Sequence, residues 1–198
     1  MLIKAISEDV VELACSVLSS GGLIVYPTDT LYGLGADPFD PKAIENLISV
    51  KGREAEQAIS IGVADPGDIS RFGVVDHGVS RLIEEFLPGP LTLVLGRKDE
   101  RLPWDTIGIR IPDNAAALSI FKAYGPVTST SANKSGQETP RDIREIANIF
   151  RDRVGLYVQG DIPLSGKAST VVECIDGRIR ILREGVISGD TVIQVFEE

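Results

Sequence analysis

VTSTSANKSG, residues 127–136, is an unusual run. After an apolar lead-in it carries Thr128, Ser129, Thr130, Ser131, Asn133, Lys134 and Ser135 in close succession. Two readings are open. A polar spacer would divide the chain into two small domains. A loop at the end of a strand would belong to one domain and would line a polar ligand with hydroxyls and amides.

The flanks decide for the second reading. PVTST reads as a strand over 126–130, and PRDIREIANIFRDR reads as a helix beginning near Pro140. Further out the same alternation continues. Ser7 precedes Glu8 and Asp9, and Val10, Val11, Leu13, Ala14, Val17 and Leu18 then recur at helical spacing, which predicts an N-capped amphipathic helix stopped by Gly21-Gly22. LIVYP is a buried strand ending at Pro27, PKAIENLISVKGR a helix, AISIGVA a strand, and GVSRLIEEFL a helix ended by Pro88-Gly89-Pro90. LTLVLGR, TIGIRIP, GLYVQG, STVVECI and GRIRILRE read as strands, and NAAALSIFKAYG as a helix. Helices and strands alternate without repeat, low-complexity tract or linker. The expectation is an α/β fold: a single domain over residues 1–198 with one mixed sheet. In such folds ligands bind at loops on strand ends, the place that residues 127–136 occupy.

Composition narrows the function. Hydrophobic residues make up 43% and charged residues 25%, ordinary values for a globular chain of 198 residues. Twenty Lys and Arg against 29 Asp and Glu give a formal charge of −9, which argues against general nucleic-acid binding while leaving room for a local basic pocket. Cys15 and Cys174 read as buried small hydrophobes, and a single histidine, His77, makes a His/Cys metal site or a Ser-His-Asp set implausible. No apolar run is long enough for a membrane span, and Lys4, Glu8 and Asp9 interrupt any signal-peptide pattern, so a cytoplasmic location is expected.

Several short motifs carry chemistry. Neither G-x-x-x-x-G-K-[ST] nor a post-strand G-x-G-x-x-G is present. In YPTDTLYGLGAD, Thr28, Asp29 and Thr30 are accounted for by a turn held by local side-chain bonds, or by a ligand. Lys51 and Arg53 end a helix, where cations complement its dipole; the same pair suits a polyphosphate. Arg110 and Arg183 each sit inside an apolar run, where strand alternation would face them to solvent or to an anion pocket.

Taken in order, YPTDTLYGLGAD, KGR, FLPGPLTLVL, GIRIP, TSTSANKSG, STVVE and ILREG resemble the YrdC-like threonylcarbamoyl-AMP synthases from about residue 8 to residue 187. The resemblance implies a single twisted α/β domain with flanking helices and a large concave cavity. It implies formation of L-threonylcarbamoyladenylate and pyrophosphate from L-threonine, bicarbonate and ATP, with Mg2+ carried by the ATP and no metal site of the protein's own. The product would supply the t6A nucleotide at tRNA position 37 through a separate threonylcarbamoyl transferase complex. By matching positions, Lys51, Arg53, Ser131, Asn133, Thr139 and Arg183 would bind ATP, with Lys51 and Arg53 on the triphosphate. Thr30, Arg110, Ser129 and Ser169 would hold threonine and its carbamate. The hydroxyl-rich loop would then join two substrate sites, alternate residues facing each.

The resemblance departs in KGREAEQAISI, residues 51–61. Glu54 and Ala58 stand where the family has prolines, Gln57 stands for the polar residue between them, and Val63 stands where some members have a histidine. This departure favours an alternative, a YrdC-like paralogue acting as an RNA-binding or regulatory domain with at most weak RNA affinity. Intact Lys51, Arg53, Ser131, Asn133 and Arg183 favour the synthase.

Overall fold

The computed structural model describes residues 2–52, 59–160 and 165–198. In chain order these form β1 (Ile3–Ala5), α1 (Glu8–Ser19), β2 (Ile24–Tyr26), β3 (Gly33–Gly35), α2 (Pro41–Lys51), β4 (Ser60–Gly62), α3 (Pro66–Phe72) and α4 (His77–Phe86). Then come β5 (Leu91–Gly96), β6 (Thr106–Arg110), α5 (Ala115–Tyr124), β7 (Val127–Thr128), β8 (Thr130–Ser131) and α6 (Ile143–Phe150). A 3-10 turn at Arg151–Arg153 leads to β9 (Leu156–Gln159), β10 (Thr170–Ile175), β11 (Arg178–Arg183) and α7 (Gly189–Glu197).

The α/β expectation holds, but the strands form two mixed sheets instead of one. Their orders are β1-β9-β2-β3-β8 and β11-β10-β5-β6-β4-β7. The run 126–130 is the reason. It is two short strands rather than one: β7 pairs with β4 in the second sheet and β8 with β3 in the first. The chain crosses between sheets at Ser129, whose N–H donates to Ser60 O at 2.6 Å. Right-handed twist turns a long open sheet away from itself, and a break in pairing is where that turn is taken up. Thr128 locks the joint to β3: its hydroxyl accepts from Ala36 N–H at 2.8 Å, and its own N–H donates to Ala36 O at 2.9 Å.

Strand periodicity then fixes the layers. In the first sheet, Ile24, Tyr26, Leu156 and Val158 pack with Val10, Ala14 and Leu18 of α1 and Ala117, Ile120 and Phe121 of α5. The alternate residues Val25 and Tyr157 pack with Ala43 and Leu47 of α2 and Ile146 and Phe150 of α6. Helices cover both faces, so IVY is buried throughout, as a strand between two helical layers should be. In the second sheet, Leu91, Leu93, Leu95, Ile107, Ile109, Val172 and Cys174 face α3, α4 and α7. Thr92, Arg110 and Val171 alternate with them and face the other way, toward the site.

Most helices are capped as their sequences dictate. Asp40, Asp65, Asp76, Asn114, Asp142 and Ser188 each accept a backbone N–H of their first turn. Ser7 has cap geometry without a side-chain bond. The helix expected near Pro140 begins at Ile143, behind its Asp142 cap. Cys174 is buried but Cys15 is only half-buried, because the inner face of α1 is Val10, Ala14 and Leu18 and Cys15 lies one step off it. His77 is exposed on the first turn of α4, its Nδ1 2.8 Å from Arg81. Among the described residues no helix is long and apolar enough to cross a membrane.

Candidate functional site

A cavity of about 200 Å³ opens where the two sheets meet. Thr28 and Thr30 line it from the turn after β2, Ser129, Thr130 and Ser131 from the crossing, Thr92 and Arg110 from β5 and β6, and Ala168, Ser169, Val171 and Arg183 from β10, β11 and the approach to them. Its walls are mainly hydroxyls with two guanidinium groups. The expected site residues Thr30, Arg110, Ser129, Ser131, Ser169 and Arg183 all line it. Strand alternation points Arg110 into the cavity rather than to solvent, because Ile109 takes the core side.

The turn explains both readings of TDT. Thr28 Oγ1 donates to Leu31 O at 2.6 Å and accepts from Thr30 N–H at 3.1 Å and Leu31 N–H at 3.2 Å, which is the local turn chemistry. Its single proton is thus engaged, so Thr30 donates in the 3.0 Å contact between the two hydroxyls. Thr30 Oγ1 in turn accepts from Arg110 Nη1 at 2.8 Å. Arg110 also donates through Nε to Gly89 O at 3.2 Å and through Nη2 to Asp29 Oδ1 at 2.6 Å. The FLPGPL motif therefore supplies a carbonyl to the arginine, and Gly89 N–H in turn donates to Ile111 O at 2.8 Å.

On the opposite wall Arg183 donates to Ser169 O through Nε at 3.2 Å and Nη2 at 2.9 Å. Ser169 Oγ lies 2.9 Å from Thr92 Oγ1. Burial lowers the pKa of both arginines; for Arg110 the nearby Asp29 carboxylate opposes that shift, and Arg183 adds to it. Two like charges on one small cavity favour an anion between them. Tyr26 lies beneath, its hydroxyl donating to Thr128 O at 3.0 Å and its pKa pushed up to about 12 by burial. Its ring explains the glycine-rich β3: a Cβ on Gly33 would lie 2.7 Å from Tyr26 Cζ.

Lys51, Asn133 and Thr139 do not line this cavity. They form a network beside it, joined through Ser131. Lys51, 5% exposed, donates from Nζ to Ser131 O at 2.5 Å and to Asn133 O at 3.2 Å. Its ammonium thus ties α2 to the hydroxyl-rich loop, and Gly52 ends the helix with φ 63°. Ser131 Oγ donates to Asn133 Oδ1 at 2.5 Å, as does Thr139 Oγ1 at 3.2 Å, while Asn133 Nδ2 donates to Lys134 O and Gln137 O. Arg53 and the departures at Glu54, Gln57 and Ala58 lie outside the described residues. Val63 is buried in the apolar core behind β6.

Alternation along the loop is not what occurs. Ser129, Thr130 and Ser131 line the cavity consecutively, because the crossing interrupts the pleat. Thr92 and Ser60 are not among the expected site residues, and Thr130 is expected only as part of the hydroxyl-rich loop; the visible signal for Thr92 is a hydroxyl at a strand position alternating with leucines in LTLVL. No group of three or more His, Cys, Asp or Glu side chains suited to a metal ion occurs among the described residues.

Comparison with known proteins follows the same outline. The Sua5_yciO_yrdC family model, described as telomere recombination, matches residues 16–185. A Methanocaldococcus jannaschii protein provisionally named a threonylcarbamoyl-AMP synthase is 34% identical over 91% of this chain and 87% of its own. The crystal structure of P. abyssi Sua5 complexed with L-threonine superposes with a TM-score of 0.89 at 28% identity, covering 98% of this chain and 59% of that longer one. The E. coli YciO crystal structure gives 0.84 at 29% identity, covering 93% and 94%. The chain belongs to the Sua5/YciO/YrdC family.

Proposed function

We propose that this protein is an L-threonylcarbamoyladenylate synthase, a nucleotidyltransferase joining L-threonine, bicarbonate and ATP and releasing pyrophosphate. The observation that carries the reading is the convergence of Arg110, Arg183, Thr30, Ser129 and Ser169 on one hydroxyl-lined cavity beside the Ser131–Lys51–Asn133 network. The cavity volume of about 200 Å³ is below the roughly 300–1,000 Å³ usual for drug-sized ligands. It suits the small amino acid, with the nucleotide lying against the adjoining network and Arg183. The relatives' names and the threonine bound to P. abyssi Sua5 support the same assignment.

In this reading Arg110 holds the threonine carboxylate. Thr30 offers a lone pair rather than a proton, so it accepts from the ligand. Bicarbonate gives CO2 and hydroxide; the threonine nitrogen bonds to the CO2 carbon, and the proton it sheds joins the hydroxide as water, leaving a carbamate. A carbamate oxygen then attacks the α-phosphorus, and the bond from that phosphorus to the β-phosphate bridge breaks, with pyrophosphate leaving. No enzyme-bound covalent intermediate is needed. The chain's work is to hold two anions in line and offset their charge. Lys51, Arg53, Ser131, Asn133, Thr139 and Arg183 take the nucleotide. Mg2+ would come on the phosphates of ATP and would shield their charge. The product would pass to the transferase complex that builds t6A at tRNA position 37.

The test is pyrophosphate release from ATP. Release requiring both threonine and bicarbonate is expected. No release under any combination, with RNA retained by the protein, would replace the synthase with the RNA-binding or regulatory paralogue.

A further inference from the structure

Asp29 is not among the residues that line the cavity, yet it makes the shortest contact to the cavity's central cation. Arg110 and Asp29 form an ion pair at 2.6 Å with side chains 8% and 17% exposed. The guanidinium has five N–H groups. Three are engaged among the described residues, one on each nitrogen: Nε on Gly89 O, Nη1 on Thr30 Oγ1 and Nη2 on Asp29 Oδ1. The three acceptors lie at 3.2, 2.8 and 2.6 Å, and only Asp29 brings a charge. Two N–H groups remain, one on each terminal nitrogen, for a ligand.

We propose that Asp29 is a positioning residue: from behind the cavity it fixes the plane of the Arg110 guanidinium so that the two remaining N–H groups face an incoming carboxylate. The inference rests on the reading of the cavity as the amino-acid site. Arginine carries a long side chain with several rotors, and a two-pronged contact to a carboxylate depends on the plane of its fork. Without Asp29, Thr30 and Gly89 hold Nη1 and Nε but leave Nη2 of this buried side chain without its charged partner. An opposing effect exists, since Asp29 also presents a negative charge to the ligand. The orienting effect dominates because Arg110 keeps its charge with or without Asp29, whereas its aim depends on an acceptor at Nη2. The backbone around Asp29 is tied down independently, with its carbonyl accepting from Ser165 N–H at 3.2 Å and that of Thr30 from Gly166 N–H at 3.1 Å.

The experiment titrates L-threonine and ATP separately into the wild-type protein, Asp29→Ala and Asp29→Asn. Expected for Asp29→Ala is a loss of threonine affinity of tenfold or more with ATP affinity within threefold. Asp29→Asn, which keeps an oxygen acceptor at the same place, recovers most of that loss. Tighter threonine binding in Asp29→Ala would overturn the inference and make Asp29 a competitor of the substrate. Equal losses for both ligands would overturn it in favour of a structural role. Should the wild-type protein bind no threonine, the amino-acid reading fails, and the inference is read from the Arg110 Nε–H signal in 15N NMR. A wild-type signal lost or averaged in Asp29→Ala and restored in Asp29→Asn upholds the positioning role; a signal indifferent to both changes overturns it. The same spectra decide the matter if Asp29→Ala does not fold, since Asp29→Asn alone then has to keep both the signal and ATP binding.

Discussion

Gly185 is a single point on which the second wall of the cavity depends. A Cβ there would lie 2.3 Å from Ala168 O, 2.3 Å from Ser169 C and 2.4 Å from Thr170 N, all main-chain atoms that cannot swing aside. Gly185→Ala must therefore push residues 185–187 off residues 168–170. Four bonds cross that seam among the described residues: Val186 N–H to Ala168 O at 3.1 Å, Gly185 N–H and Ile187 N–H to Thr170 Oγ1 at 3.0 and 3.1 Å, and the Thr170 hydroxyl to Ile187 O at 2.5 Å. Losing two of them costs about 2 kcal/mol, at about 1 kcal/mol each. Overpacking adds about 1–3 kcal/mol. The sum, about 3–5 kcal/mol, lowers Tm by roughly 10 °C in a chain of this size. The damage also reaches function, because Ser169 sits in the displaced segment and holds Arg183 through its carbonyl. Threonine affinity should fall by about tenfold, the range for losing one charge-assisted contact. Thermal unfolding and calorimetric titration of threonine measure both effects. A variant with Tm within about 2 °C of wild type and unchanged threonine affinity would show that the seam at Gly185 supports neither the fold nor the site.

Arg110→Ala should weaken threonine binding by about 1.5–3 kcal/mol, or roughly tenfold to a hundredfold, with a far smaller change for ATP; equal losses on titration would give Arg110 a general structural role. Lys51→Met removes the ammonium from Ser131 O and Asn133 O and should cost about 2–4 kcal/mol in urea unfolding, with faster amide exchange at Ser135, which donates to Lys51 O; an unchanged midpoint would show that this tie contributes nothing. Tyr26, with its pKa raised to about 12, favours the folded state fully below the unfolded value of about 10 and loses that advantage as pH rises toward 12, at about 1.4 kcal/mol per pH unit. Tyr26→Phe should therefore be about 1 kcal/mol less stable than wild type at pH 8, through loss of the bond to Thr128 O, and should close that gap by pH 11; a constant gap in denaturant titrations at the two pH values would contradict the burial.

The sequence made the layers legible wherever periodicity was strong. LIVY, LTLVL and TIGIR appear as strands because their alternation or continuous burial is set by local sequence, and α1, α2, α4, α5 and α6 follow from helical spacing and caps. Other elements were hidden for physical reasons. GLG in β3 has the poorest strand propensity of residues, and it is a strand because Tyr26 and the crossing at Ser129 need backbone without side chains there. PGDISRF in α3 and GDTVIQVFE in α7 are short helices opened by proline or glycine, signals that read as turns until a core is available to cover. The division into two sheets was invisible because nothing within VTSTS marks Ser129 as the joint; only the partners β3 and β4 do. At the site, the motif residues were legible as chemistry. Their partition was not, since the placing of Lys51 and Asn133 beside the cavity depends on carbonyls contributed by the loop itself. Asp29 reads locally as a turn residue, and its ion pair reaches across 81 residues to Arg110.

In the proposed reaction the cavity and its neighbouring network together make one adenylate from three substrates. Incubation with L-threonine, 13C-labelled bicarbonate and ATP with Mg2+, followed by mass spectrometry, tests it most directly. The expected product is L-threonylcarbamoyladenylate carrying the label, formed in equal amount to pyrophosphate and absent when threonine or bicarbonate is omitted. Pyrophosphate released without that labelled adenylate, or at a rate indifferent to threonine, would contradict it.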